Sequence, residues 1–167
     1  GQMCVASPSG RYLALVRGAP TGDTGSCREP IGRHETHRTR MTVRPDGRAS
    51  HTDWRVEARY GESAFARIRC DLHTGRTHQI RVHLSYLGHP ILGDVTYGHR
   101  PRSSDPAPAP RVMLHSVWTR LRHPVTEAPL TLEAPLSPDF AAVVTALEGL
   151  PEVDPSAKKA RQGRAKR

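Results

Sequence analysis

Between residues 53 and 72, apolar and polar side chains alternate one by one on either side of a short break. Trp54, Val56, Ala58 and Tyr60 alternate with Asp53, Arg55, Glu57 and Arg59. After Gly61-Glu62, Ala66, Ile68, Cys70 and Leu72 stand opposite Arg67, Arg69 and Asp71. A period of two on both arms predicts a β-hairpin with one buried face. Tyr12-Leu-Ala-Leu-Val16 is continuously apolar and reads as a buried strand. Residues 40–44 alternate ahead of the turn sequence Pro45-Asp46-Gly47, and 112–121 and 130–134 are strand-like. From Thr77 the period lengthens: Ile80, Leu84 and Leu87 follow at helical spacing, and Gly88 stands where a helix ends.

A last helix is signalled by Ser137 as a cap, Pro138 in its first turn and Asp139 at its positive end. Its apolar stripe is Phe140, Val143, Val144 and Leu147. Residues 19–39 and the proline-rich 101–110 show no period and read as irregular connections. The expected architecture is α+β, a mixed, mainly antiparallel β-sheet with flanking helices, in one domain over 1–150. Residues 151–167 carry six positive and two negative charges without apolar periodicity, a composition that predicts a basic disordered tail.

At 167 residues the chain has room for one domain with a hydrophobic core. It has no apolar run long enough to span a bilayer. The first 18 residues do not read as a secretory leader; a strand-like run begins almost at once, which suggests a chain cut inside a domain. Cys4, Cys27 and Cys70 are odd in number and form no C-x-x-C pair, so a reducing cytoplasm fits better than a disulfide framework or a zinc knuckle. Cys70, on the apolar side of its strand, reads as a small core residue.

Charge narrows the partners. Lys and Arg total 25 against 16 Asp and Glu, and the three lysines all lie in the last ten residues. The folded part is therefore basic through arginine alone, whose planar fork grips phosphate with two bonds. A polyanion is the natural partner; an arginine-biased genome gives the same composition without one. His34-Glu-Thr-His37 has H-x-x-H spacing but lacks the H-E-x-x-H pattern, so no metal is assigned.

The strongest motif is Thr74-Gly-Arg-Thr-His-Gln-Ile-Arg-Val-His83. Leu87-Gly-His-Pro-Ile-Leu-Gly-Asp94, Tyr97-Gly98, Leu114-His115 and His123-Pro124 follow it; Tyr12-x-Ala14-x-Val16-x-Gly18 and Pro30-Ile31-Gly32 precede it. In this order, over about residues 11–140, they resemble the RluA family of RNA pseudouridine synthases. The resemblance implies that family's fold and its reaction on ribosomal or transfer RNA, by a cytoplasmic monomer without cofactor or metal. The N1–C1′ bond of uridine breaks, the base turns, and it rejoins through C5. In the family an aspartate forms a covalent bond with the substrate, at the ribose or at the base, and the target leaves the base stack to reach it.

That aspartate lies in a His-Arg-Leu-Asp-x-x-Thr-Ser-Gly stretch upstream of the tyrosine strand, and this sequence has no such stretch. Truncation accounts for the gap better than degeneration, and the chain alone is expected to be inactive. Asp94 matches a family position in a turn after the helix and is not promoted to nucleophile. By the resemblance Arg81 pairs with the nucleophilic carboxylate, Tyr12 packs on the uracil and takes its C5 proton, and Leu114 walls the base. Gly75, Arg76 and His78 fall to RNA binding or support. Two other classes stay open: a non-catalytic RNA-binding module that keeps the groove, and a metal-dependent hydrolase using its histidines.

Overall fold

The computed structural model describes residues 9–103 and 105–150. Cys4 and the basic tail over 151–167 lie outside the described residues. Eight strands and two helices follow in the order β1 (Ser9–Arg17), β2 (Thr24–Cys27), β3 (Ile31–Arg33), β4 (Met41–Val43), β5 (Thr52–Tyr60), β6 (Phe65–Leu72), α1 (Gln79–Tyr86), β7 (Leu114–Arg122), β8 (Pro129–Glu133) and α2 (Pro138–Glu148). A 3-10 turn at Val95–Tyr97 follows α1. Six strands form an antiparallel sheet in the order β2-β5-β6-β1-β7-β8, and β3 and β4 form a separate hairpin.

The sheet is covered on both faces at β1 but left open on one face at β5, which explains the difference between its apolar patterns. In β1, Ala14, Leu15 and Val16 are all fully buried, as a continuous apolar run requires. Cross-strand partners share a face, so Tyr12, Ala14 and Val16 lie with Cys70, Ile68 and Ala66, and Ala14 also pairs with Leu114. Thr52, on this same face of β5, is hydrogen-bonded to Gln79 and His83, so α1 lies here. His115, paired with Leu13 on the other face, has its ring centroid 5.8 Å from Phe140 of α2. Phe140, Val143, Val144 and Leu147 are buried, the stripe the sequence predicts. On β5, Arg55, Glu57 and Arg59 are exposed while Val56, Ala58 and Tyr60 turn inward.

Four details differ from the sequence reading. The 19–39 segment is not wholly irregular, because β2 and β3 form within it. Both are short, and β2 is held at the sheet edge by backbone pairing with β5, which leaves no apolar period to see. Helix α1 starts at Gln79 rather than Thr77, since His78 adopts a left-handed conformation at φ 58°. Its buried set is Gln79, Ile80, Val82, His83 and Leu84, wider than the stripe, and Leu87 caps its end half-buried. Ser137 stands at the start of α2 but makes no capping bond; its Oγ accepts from Arg111 Nη2 at 2.9 Å.

After α1 the chain turns back onto the sheet. Arg17 N donates to Pro90 O and Leu92 N to Leu15 O, so residues 90–92 run beside β1. Gly93 then turns at φ +78°, and a Cβ there would stand 1.9 Å from the Arg111 carbonyl oxygen. Gly88 also has positive φ, at +85°, but a Cβ there meets nothing within 4 Å. The two glycines thus separate conformational strain from collision. Gly88→Ala should cost about 1 kcal/mol, the penalty of a left-handed alanine. Gly93→Ala adds a backbone clash and should cost roughly 3 kcal/mol or more. Urea unfolding of both variants measures the gap, and equal losses would refute the collision at residue 93.

Candidate functional site

The 74–83 motif folds as a turn leading into α1, and its polar residues knit helix to sheet. Gln79, only 3% exposed, has both ends of its amide satisfied. Its Oε1 accepts from Thr74 Oγ1 (2.7 Å) and the Arg76 amide (3.0 Å); its Nε2 donates to His51 O (3.0 Å) and Thr52 Oγ1 (2.9 Å). One helical turn on, His83 is fully buried between Thr52 Oγ1 and Glu29 O, each at 2.9 Å. A carbonyl only accepts, so His83 Nε2 carries a proton and Nδ1 accepts from the Thr52 hydroxyl. His83 is therefore the neutral Nε2–H tautomer, and burial pushes its pKa down.

A second set of contacts lies on the other side of the helix. Arg81 Nε donates to Asp94 Oδ2 at 2.7 Å and its Nη2 to Asp94 Oδ1 at 2.9 Å, a two-point fork on a carboxylate that is 1% exposed. Asp94 also accepts the Tyr97 amide at 3.2 Å. The Arg81 guanidinium lies over the Tyr97 ring, 4.7 Å from its centroid. The Tyr97 hydroxyl accepts the Met41 amide at 2.9 Å and meets His78 Nδ1 at 2.8 Å. Burial, aided by the Arg81 charge, lowers the His78 pKa, while the hydrogen bonds from Arg81 to Asp94 raise that of the guanidinium.

These residues divide into two groups. Arg76, His78 and Arg81 gather at the start of α1; His78 and Arg81 are joined through Asp94 and Tyr97, and Arg76 is tied to the helix by its amide on Gln79. Tyr12 and Leu114 sit on the sheet face that α1 covers, half-buried against the main core. Among the described residues no hydrogen bond or ion pair links the two groups. Gly75 is exposed, four residues before the helix begins. Arg76 donates Nε to Ala49 O at 3.0 Å, which leaves the rest of its fork unengaged. Arg81, expected to hold a nucleophilic carboxylate, is engaged here by Asp94 through Nε and Nη2.

Pattern reading missed the parts played by Gln79, His83, Thr52 and Tyr97. A signal was present for two of them, since a glutamine and a histidine spaced i, i+4 share one helix face. It also missed a cluster on the opposite sheet face, where Asp53 accepts from His51 Nε2 (2.8 Å) and His73 Nε2 (2.6 Å). The three donor atoms lie within 4.8 Å of one another, a spacing that suits a metal. The two imidazoles, however, stack at 4.2 Å with 14° between their planes. Both Nε2 atoms face the one Asp53 carboxylate, each within hydrogen-bond distance of one of its oxygens. The His34-x-x-His37 pair is likewise engaged, because His34 Nδ1 accepts the amides of Thr36 and His37.

A family model described as RNA pseudouridylate synthase matches residues 7–86. A ribosomal large subunit pseudouridine synthase D from Nitrosomonas europaea is 44% identical over 146 residues, which cover 84% of this chain and 41% of that protein. One of the same name from Vibrio parahaemolyticus is 42% identical over 156 residues, covering 84% of this chain and 47% of its own length. The chain thus spans less than half the length of these relatives. Among solved structures, Human RNA Pseudouridylate Synthase Domain Containing 1 aligns with a TM-score of 0.66 at 28% identity, covering 89% of this chain and 69% of that one. Human RNA Pseudouridylate Synthase Domain Containing 4, at 22% identity and a TM-score of 0.64, shares the fold.

The neutral histidines give the fold a pH dependence. Burial depresses the pKa of His78, His83, His89 and His99 below the ordinary 6.5. An unfolded chain takes up protons near 6.5 that the folded one refuses, so stability is complete above that pH and declines below it. Each buried histidine contributes up to about 1.4 kcal/mol per pH unit in that window. The melting temperature should therefore fall steadily from pH 7 to pH 5, before carboxylates titrate. A flat profile over that range would contradict the neutral assignment of His83.

Proposed function

Since the chain belongs to the RNA pseudouridylate synthase family, we propose that it is the C-terminal part of an enzyme that isomerises uridine to pseudouridine in RNA. Ribosomal RNA is the favoured substrate, by the names of its relatives, with transfer RNA the alternative; the enzyme is a cytoplasmic monomer in this reading. The observation that carries the proposal is the state of Arg81. Its Nε and Nη2 are fixed on Asp94 and its face on Tyr97, while Nη1 is left to donate elsewhere. A guanidinium clamped on two sides presents its remaining donor in one direction only. That is what aiming and ionising a nucleophilic carboxylate requires.

Within this scheme Arg81 is the catalytic residue of α1, and Asp94 positions it. Tyr12 and Leu114 lie on the sheet face beside α1, which supports their placement around a uracil: Tyr12 against the ring to take the C5 proton, Leu114 as an apolar wall. Neither step needs a redox partner or a metal. The N1–C1′ electron pair leaves with N1, which takes up a proton. The ring's C5=C6 electrons form the new C5–C1′ bond, and loss of the C5 proton to a base restores the double bond, so the atoms of uridine are conserved. Arg76 and His78 support the approach of RNA, and Gly75 allows its backbone close. The second reading is a non-catalytic RNA-binding module that keeps the groove without performing the isomerisation.

Two measurements test the scheme. The chain as it stands should form no pseudouridine in ribosomal or transfer RNA, even at high concentration; carbodiimide-primer extension stops above background would overturn the role given to the missing aspartate. In a chimera carrying the relatives' upstream segment, Arg81→Lys keeps the charge but loses the planar fork. Single-turnover isomerisation should then fall about 100-fold or more while RNA affinity changes little. Asp94→Asn should give a smaller loss of the same kind. A near-normal rate in the lysine variant removes Arg81 from the catalytic list.

A further inference from the structure

The arginines of the fold separate into two populations. Most of those on or beside the main sheet already sit on carboxylates: Arg11 and Arg69 on Asp71, Arg17 on Asp105, Arg59 on Asp23, Arg67 on Glu57, Arg111 on Asp139. Another set surrounds a groove of about 790 Å³ between the β3–β4 hairpin and the turn before α1. Arg33, Arg38, Arg48 and Arg76 line it, and none of the four has a carboxylate partner among the described residues. The carboxylate that also lines it, Asp46, is neutralised by Arg44 through both of its oxygens. Four arginines without a carboxylate partner among the described residues therefore line one space.

Its walls are fixed. Ile31, 1% exposed, packs with Val82, Tyr97, Met41 and Val43, anchoring the hairpin against α1. Residues 31 and 48 exchange backbone hydrogen bonds at 2.9 and 2.8 Å. Arg76 is held by Ala49 O, and the Met41 amide is bound to the Tyr97 hydroxyl, whose ring lies against Arg81. Such a cradle loses little order when an anion enters it. No aromatic side chain lines the groove, so nothing there stacks on a base, and guanidiniums bind phosphate with two bonds.

We propose that this groove binds successive phosphates of one RNA strand beside the target uridine, with the β3–β4 hairpin as one jaw and the 75–77 turn as the other. The inference rests on the RNA reading above and adds Arg33, Arg38 and Arg48 to the residues that touch RNA. The groove is a register-setting contact without sequence preference. Its links to the site, through Met41 and Ile31 on Tyr97 and through Arg76 on Gln79, place the held backbone a fixed distance from Arg81.

The test is binding of the unmodified chain to a labelled uridine-rich RNA oligomer by fluorescence anisotropy across a salt series. The triple change Arg33→Ala, Arg38→Ala, Arg48→Ala should lower affinity roughly 100-fold near 0.1 M salt and make the salt slope shallower by about 2, at about 0.7 per lost contact. A control triple of equal charge, Arg55→Ala, Arg120→Ala, Arg122→Ala, should change affinity less than threefold. The triple change Arg33→Lys, Arg38→Lys, Arg48→Lys should keep the slope and most of the affinity. Thermal melting checks that each variant folds, and Arg38→Glu, at an exposed hairpin position, serves if the triple does not. Equal losses in the two triples would mean diffuse charge and overturn the groove, leaving the RNA reading intact. An unmodified chain that binds no RNA overturns both.

Discussion

Much of the arrangement depends on one buried hydroxyl. Thr52 Oγ1 accepts from Gln79 and donates to His83, so it is the point where β5 and helix α1 are joined by polar contact inside the core. Each of the three is 3% exposed or less, and such groups are tolerated only when every donor and acceptor is met. Here they are met. The amide of Gln79 makes four bonds and the imidazole of His83 two, and between them they reach Thr74, Arg76, His51 and Glu29. A purely apolar contact would let α1 slide or rotate on the sheet. This network admits one position, and removing one partner leaves the others desolvated and unpaired.

Fixing α1 fixes what hangs from it. Arg81 is two residues beyond Gln79 and two before His83, so its direction is set by the residues that anchor the helix on either side. The carboxylate it meets comes from a segment anchored independently: residues 90–92 are bonded to β1, and Gly93 makes the turn that brings Asp94 inward. The ion pair is thus a closure between two elements positioned by other forces. That explains how a charge pair so deeply buried is accommodated, since its desolvation is offset by a rigid two-point geometry and by the Tyr97 ring and amide.

The elements that were legible in the sequence are those whose burial has a period. The β5–β6 hairpin alternates because one side of each strand is wet, β1 is continuous because neither side is, and the α2 stripe is buried at all four positions. Strands β2 and β3 were not legible, because backbone pairing at an edge and in a small hairpin leaves no apolar signature. The start of α1 was misplaced by two residues because His78 takes a left-handed backbone that histidine rarely adopts. Motif resemblance singles out Arg81 and His78 as candidates but not the residues they contact. Asp94 was read as a turn residue, and Tyr97 as part of a flanking pair. Contacts made across 13 and 19 residues carry no local spacing.

Tyr97 shows why those partners matter more than their positions in the sequence suggest. Its ring backs Arg81, its amide binds Asp94, its hydroxyl reaches both His78 and the Met41 amide, and its side chain packs with Ile31 and Val82. One residue therefore touches the charge pair, the turn before α1 and the β3–β4 hairpin at once. A displacement of the hairpin cannot leave the Arg81 environment unchanged, because the Tyr97 hydroxyl and ring belong to one rigid plane. Rigid coupling of this kind transmits position rather than sequence information. Under the proposed RNA reading, it would let contacts that distinguish no base still decide where a base arrives, which is how phosphate contacts act in nucleic-acid recognition generally.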